Sequence, residues 1–223
     1  MSCNAIALLC LVTFKGAARE MAGRRKPSGI KRYTSANSIG ISLTPLMILK
    51  LKRTPGLYLV GFMASGKTTV GRALADQIGW PFADMDSEIE SREGKAISQI
   101  FVERGEAGFR QTEAEVLRRH VRSIEAGQPC VLALGGGAFV QPANRELVQN
   151  NGVTLWLDCP LEIIQRRLNG DNTRPLAAQP NGLAGLYADR RPLYSQADYR
   201  VEVDTEDVAE LVRRILGLPL FKR

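Results

Sequence analysis

Histidine is nearly missing from this chain: His120 is the only one among 223 residues. The four cysteines, Cys3, Cys10, Cys130 and Cys159, lie far apart and form no CxxC pair. No zinc-ligand set can be assembled from so few donors, and a reducing compartment fits such cysteine usage best. Cys130 opens an apolar run and Cys159 closes one, the setting of a small buried thiol. Long apolar stretches are missing as well. The longest, Ala5 to Phe14, falls short of the roughly 20 residues that cross a bilayer, so no membrane partner is expected. There is no internal repeat, and with 44% hydrophobic and 24% charged residues the composition is that of an ordinary globular chain. At this length it points to one compact domain, with room for a tail.

Acidic residues are missing from one end only. Residues 1–53 carry ten basic side chains (Lys15, Arg19, Arg24, Arg25, Lys26, Lys31, Arg32, Lys50, Lys52, Arg53) against one acid, Glu20. Residues 54–223 hold the other 20 basic and 22 acidic groups, so the formal charge of +7 belongs to the leader. It therefore says little about what the domain binds, and no nucleic-acid partner is expected. With neither helical nor strand periodicity, 1–53 reads as a disordered basic leader. Translation starting at Met47 is the favoured explanation, and a transit peptide, which would direct the protein to a plastid, is the next.

From Leu57 onward short apolar runs alternate with helical stretches, which predicts an α/β fold built on a parallel sheet. Strands are predicted at 57–60, 81–85, 131–134, 153–157 and 199–203. Helices are predicted from the loop after the first strand to Ile78 with Gly79 as terminator, through interrupted patterns to Ala126, and over 161–168, 186–196 and 208–216. Between the last strands and helices, 169–185 is a polar loop rich in Gly and Pro, long enough to act as a lid.

The chemistry starts at Gly61-Phe62-Met63-Ala64-Ser65-Gly66-Lys67-Thr68, which matches G-x4-G-K-[ST] between a predicted strand and helix, the context that motif needs. Backbone N–H groups and a helix N-terminus would face a nucleotide's phosphates, Lys67 would add a full charge and the Thr68 hydroxyl could coordinate Mg²⁺. The chain has no NKxD-type guanine signature. Asp84 and Asp86 flank Met85, and strand alternation would aim both carboxylates toward the phosphate loop. One could hold Mg²⁺ and the other could orient a substrate hydroxyl. Alternatively, one of them simply caps the next helix. Arg110, three residues before Glu113, could take a substrate carboxylate in a bidentate grip, or could form only a solvated ion pair. Gly135-Gly136-Gly137 at the end of the third strand would let a ligand approach the backbone closely. Arg174 lies on the long loop, where it could close over the transferring phosphoryl group. His120, Trp80 and Trp156 match nothing catalytic.

These residues, taken with Glu88-Ile89-Glu90, Gly105-Glu106, Phe109-Arg110, Thr173-Arg174-Pro175-Leu176 and Arg190-Arg191-Pro192-Leu193-Tyr194, resemble shikimate kinase over 57 to about 217. The resemblance implies a P-loop NTPase fold with a five-stranded parallel sheet, helices on both faces, a helical substrate-binding insertion and a lid. It implies ATP-dependent phosphorylation of the 3-hydroxyl of shikimate by a cytoplasmic monomer. It also implies roles: Lys67, Asp86 and Arg174 in catalysis; Ala64, Ser65, Gly66, Lys67, Thr68, Thr69 and Arg174 on ATP; Asp86, Arg110, Gly135, Gly136, Gly137 and Arg190 on shikimate; Thr68 and Asp84 on Mg²⁺. In one departure, Ala64 stands where the family commonly has a glycine, and a positive φ there would cost about 1 kcal/mol. Two alternatives stay open on sequence: a related small-metabolite kinase, such as a gluconate kinase, and a kinase-like ligand sensor carried on a DNA-binding leader.

Overall fold

The computed structural model describes residues 55–168 and 182–221. The predicted leader at 1–53, Arg174 and most of the predicted lid therefore lie outside the described residues. Five strands, β1 (Gly56–Val60), β2 (Phe82–Asp84), β3 (Cys130–Ala133), β4 (Val153–Asp158) and β5 (Tyr199–Glu202), form one sheet in the order β2-β3-β1-β4-β5. Every pairing is parallel. The central strands β1 and β4 are buried along their whole length, which is why they read as unbroken apolar runs rather than alternating ones. Leu57 sits in register between Val131 and Val153.

The helices are α1 (Lys67–Ile78), α2 (Met85–Glu93), α3 (Ile97–Glu125), α4 (Pro142–Asn150), α5 (Leu161–Leu168), α6 (Gly182–Tyr194) and α7 (Val208–Leu216). Going from β1 to β2 the chain crosses the sheet one way, and every later crossover runs the other way. Right-handed crossovers then put α1 on one face, where α7 packs against it, and α3 and α4 on the other. Loops leaving the neighbours β1 and β3 part to opposite faces, and a crevice opens at the carboxyl ends of those two strands, where open α/β sheets bind ligands.

Several boundaries fall where the sequence puts them. Gly79 ends α1 at φ 70°, and α5 and α7 span the predicted residues. Asp207 starts α7 by accepting bonds from the Ala209 and Glu210 amides at 2.9 and 3.2 Å, as expected of an acidic cap. Three features differ from expectation. β2 stops at Asp84, because that carboxylate caps α2 and turns the chain out of the sheet; α4 is absent from the sequence reading; and α6 begins at Gly182, four residues early. The long helix α3 is broken at Gly105, whose φ of 67° and ψ of −178° no helix accommodates.

Candidate functional site

The loop from Gly61 to Gly66 joins β1 to α1, and the αL conformation of Gly66 (φ 95°) turns it into the helix. Lys67 folds back over the loop, its Nζ donating to the Gly61 and Phe62 carbonyls at 3.0 and 2.7 Å. Ala64 adopts φ 57°, the only non-glycine with positive φ among the described residues. The left-handed conformation costs an L-residue about 1–2 kcal/mol, so the departure seen in the sequence is a strained position. Ala64, Ser65, Gly66, Lys67, Thr68 and Thr69 all line a cleft of about 310 Å³ together with Asp84 and Asp86. In its wall the Ser65 hydroxyl is buried with no hydrogen-bond partner, an orphan of the kind that a ligand satisfies.

Asp84 has two jobs at once. Its Oδ1 accepts from the Asp86 and Ser87 amides at 3.0 and 3.3 Å, capping α2; its Oδ2 accepts from the Thr68 hydroxyl at 2.5 Å. The strand-alternation argument for Asp84 and Asp86 is thus corrected. Asp86 lies in the first turn of α2, and the cap, not a pleat, turns it toward the cleft.

A second, smaller pocket of about 50 Å³ opens beside the first. It is lined by Asp86, Arg110, Glu113, Gly136, Gly137 and Arg190, with Met63, Ile97, Phe101 and Phe109. The three glycines explain how these side chains come so close to β3. A Cβ on Gly135 would lie 2.6 Å from Asp86 Oδ1, and one on Gly137 would lie 2.5 Å from both Arg110 terminal nitrogens. Arg110 Nη1 donates to both Glu113 oxygens at 3.0 and 2.9 Å, and its Nε and Nη2 donate to Glu106 at 3.3 and 3.1 Å. Glu113 is only 1% exposed. Burial first, helped by the like charge of Asp86, pushes its carboxyl up to about 7, against the pull of Arg110 and Arg190. Arg190, 8% exposed, donates to the Gly136 carbonyl at 3.3 Å, and the Tyr194 hydroxyl donates to the same oxygen. Burial pushes the Tyr194 phenol up to about 12, with Arg190 opposing.

Among the described residues Asp86 alone lines both pockets. Sequence reasoning missed Arg167, which donates to the Ala64 carbonyl at 2.9 Å and pairs with Glu206 at 2.6 Å. Both line the first cleft. Nothing in the sequence separates Arg167 from its neighbour Arg166. Glu113 was legible only as the residue that holds Arg110, and Tyr194 only as part of a motif.

A parallel sheet with a phosphate loop after its central strand, and an arginine-lined pocket beside it, defines the class: a P-loop phosphotransferase. Comparison with known proteins narrows it. A sequence profile of the shikimate kinase family matches residues 63–218. Shikimate kinase from Ruegeria pomeroyi is 44% identical over 163 residues, covering 71% of this chain and 82% of that protein. The Persephonella marina enzyme is 40% identical over 162 residues, 72% of this chain and 96% of its own length. Among solved structures, shikimate kinase from Acinetobacter baumannii in complex with shikimate matches at a TM-score of 0.69 and 40% identity, over 74% of this chain and 93% of that one. This chain belongs to the shikimate kinase family.

Proposed function

We propose that this chain transfers the γ-phosphoryl group of ATP to the 3-hydroxyl of shikimate, giving shikimate 3-phosphate and ADP. The observation that carries the reading is the position of Asp86, in the wall shared by the phosphate cleft and the arginine-lined pocket. A group bound in one meets a group bound in the other at that carboxylate.

The geometry of the two pockets supports the following roles. Arg110 and Arg190 hold the carboxylate of shikimate against Gly136 and Gly137, where the missing side chains let it approach the backbone. Gly135 leaves room for Asp86, which accepts a hydrogen bond from the substrate hydroxyl, orients its oxygen toward the γ-phosphorus and takes its proton. As the oxygen–phosphorus bond forms, the bond to the β–γ bridging oxygen breaks, and Lys67 with the loop amides from Ala64 to Thr69 neutralises the charge that spreads over the phosphates. Arg174, outside the described residues, is given the role the family resemblance implies, adding to that neutralisation. Positioning and electrostatics carry most of the acceleration.

The Thr68 hydroxyl and the Asp84 carboxylate, 2.5 Å apart on the edge of the cleft, are two hard oxygen donors, and such a set suits Mg²⁺, which keeps water and phosphate oxygens for its other positions. An ion held by these two residues would screen the phosphate charges. We assign catalysis to 54–223, with 1–53 outside the catalytic unit, and read the enzyme as a cytoplasmic monomer with no nucleic-acid or membrane partner. Among the described residues no helix is long and apolar enough to cross a membrane.

Asp86→Asn tests the mechanism. Turnover in an ADP-release assay is expected to fall by a factor of about 10² to 10⁴, the usual worth of a general base, while ATP binding stays near that of the parent. Unchanged turnover removes Asp86 from the role given to it.

A further inference from the structure

The helix α6 reaches three parts of the site through neighbouring side chains. The Tyr187 ring meets Phe62 of the phosphate loop edge-on, centroids 5.4 Å apart, and its hydroxyl donates to the Cys159 carbonyl at 3.1 Å. Arg190 and Tyr194 donate to Gly136. Arg191 leaves the helix in another direction, toward the carboxyl end of β4. There its Nη2 lies 2.8 Å from Asp158 Oδ2 and its Nε 3.4 Å from Oδ1. Arg200, from β5, grips the same carboxylate at 2.8 and 2.7 Å. Both guanidiniums lie 5.5 Å from the centroid of the Trp156 ring.

Asp158 is 6% exposed, and a carboxylate so poor in water needs hydrogen-bonding or charged partners. It has two, on different elements. Successive residues on a helix point about 100° apart, so a clamp on Arg191 fixes the direction in which Arg190 leaves. The clamp falls where the helix is weakest. Pro192 lies inside α6, and a proline has no amide to bond the preceding turn. The backbone ladder is thus interrupted beside the residue that must be held.

We infer that Arg191, clamped on Asp158 and Trp156, is a positioning residue that aims Arg190 into the substrate pocket, a role separate from the fold-stabilising role of Arg200 on the same acid and ring. This rests on the function proposed above, in which Arg190 binds the substrate carboxylate. Arg200 supplies the control, because it binds the same carboxylate and the same ring but is not attached to α6. Arg191 and Arg200 side chains are 46% and 50% exposed, and after loss of either one Asp158 keeps the other, so both single variants retain a paired carboxylate and fold.

The test compares Arg191→Met, Arg191→Lys and Arg200→Met with the parent in steady-state kinetics against both substrates, with thermal melting alongside. Misaiming Arg190 weakens binding of the acid: Arg191→Met is expected to raise the KM for shikimate by about five-fold or more, with kcat and the KM for ATP within about two-fold. Arg191→Lys recovers part of the loss. Arg200→Met melts lower and leaves the KM for shikimate within about two-fold of the parent. The inference is overturned if Arg191→Met leaves that KM unmoved, if Arg200→Met raises it equally, or if both substrates weaken together. Turnover by the parent chain separates the two readings. No phosphorylation of shikimate overturns the proposed function and this inference together, whereas normal turnover with an unshifted KM in Arg191→Met overturns this inference alone.

Discussion

Gly135→Ala asks whether Asp86 must stand where the structure puts it. The added Cβ would lie 2.6 Å from Asp86 Oδ1 and 3.1 Å from Glu113 Oε1, whereas ordinary contact begins at 3.4 Å. The carboxylate must therefore retreat by about 0.8 Å, and a displacement near 1 Å at a reacting group costs about 10²-fold in rate. Gly135 itself does not have a positive φ, so alanine meets no backbone penalty, and the phosphate loop is untouched. The expected result is a kcat lower by about two orders of magnitude in a coupled ADP assay, with nucleotide affinity unchanged. A second variant calibrates the first. At Gly136 a Cβ would come nearest to the Met63 amide nitrogen, at 3.3 Å, and would leave Asp86 in place; Gly136→Ala is expected to lose less kcat. If Gly135→Ala kept kcat within about three-fold of the parent while its melting temperature also held, the geometric argument for Asp86 would be refuted.

Further predictions follow from the strained and titrating groups. Ala64→Gly relieves about 1–2 kcal/mol of left-handed strain and adds about 0.5–1 kcal/mol of unfolded-state entropy cost. The net gain of about 0–1.5 kcal/mol, centred on about 0.75, should raise the melting temperature by about 2 °C, and a lower melting temperature would contradict the strain. Glu113, raised to about 7 by burial, binds its proton more tightly folded than unfolded. Its contribution to stability is therefore full below the ordinary glutamate range near 4.5 and is lost as pH rises through about 7. Glu113→Gln should flatten that decline in a series of melts from pH 5 to 8; an equally steep decline in the variant assigns it to other groups. The same titration should weaken shikimate binding in the parent as pH rises through about 7, because an ionised Glu113 competes with the substrate for Arg110, and this trend should vanish in the variant.

Legibility followed the range of the interactions. The phosphate loop was readable because its glycines, Lys67 and Thr68 act through local backbone geometry, and Gly79 was readable because a helix needs a left-handed residue at its end. Asp84 and Asp86 were found for a reason that did not hold. A pleat and a capped helix turn both bring them to the cleft, and the sequence reading led with the pleat while keeping a helix cap as its alternative, which is the one Asp84 adopts. That choice depended on a side chain bonding its own backbone two residues on. The helix α4 escaped because its buried residues, Asn144 and Val148, show too little apolar periodicity. Arg167 and the partner of Arg191 were invisible for another reason: Arg167 binds Ala64 and Glu206, and Arg191 binds Asp158, on elements far away in the chain. The break in α3 at Gly105 was foreshadowed only as a weak interruption.

A partition made of one carboxylate has a bearing on inhibitor design. A molecule joining a nucleotide polyphosphate to a cyclic acid would have to cross no more than the width of the Asp86 side chain, so its tether could be a few atoms long and rigid. The two halves would then arrive already aligned, and each would keep the selectivity of its own recess.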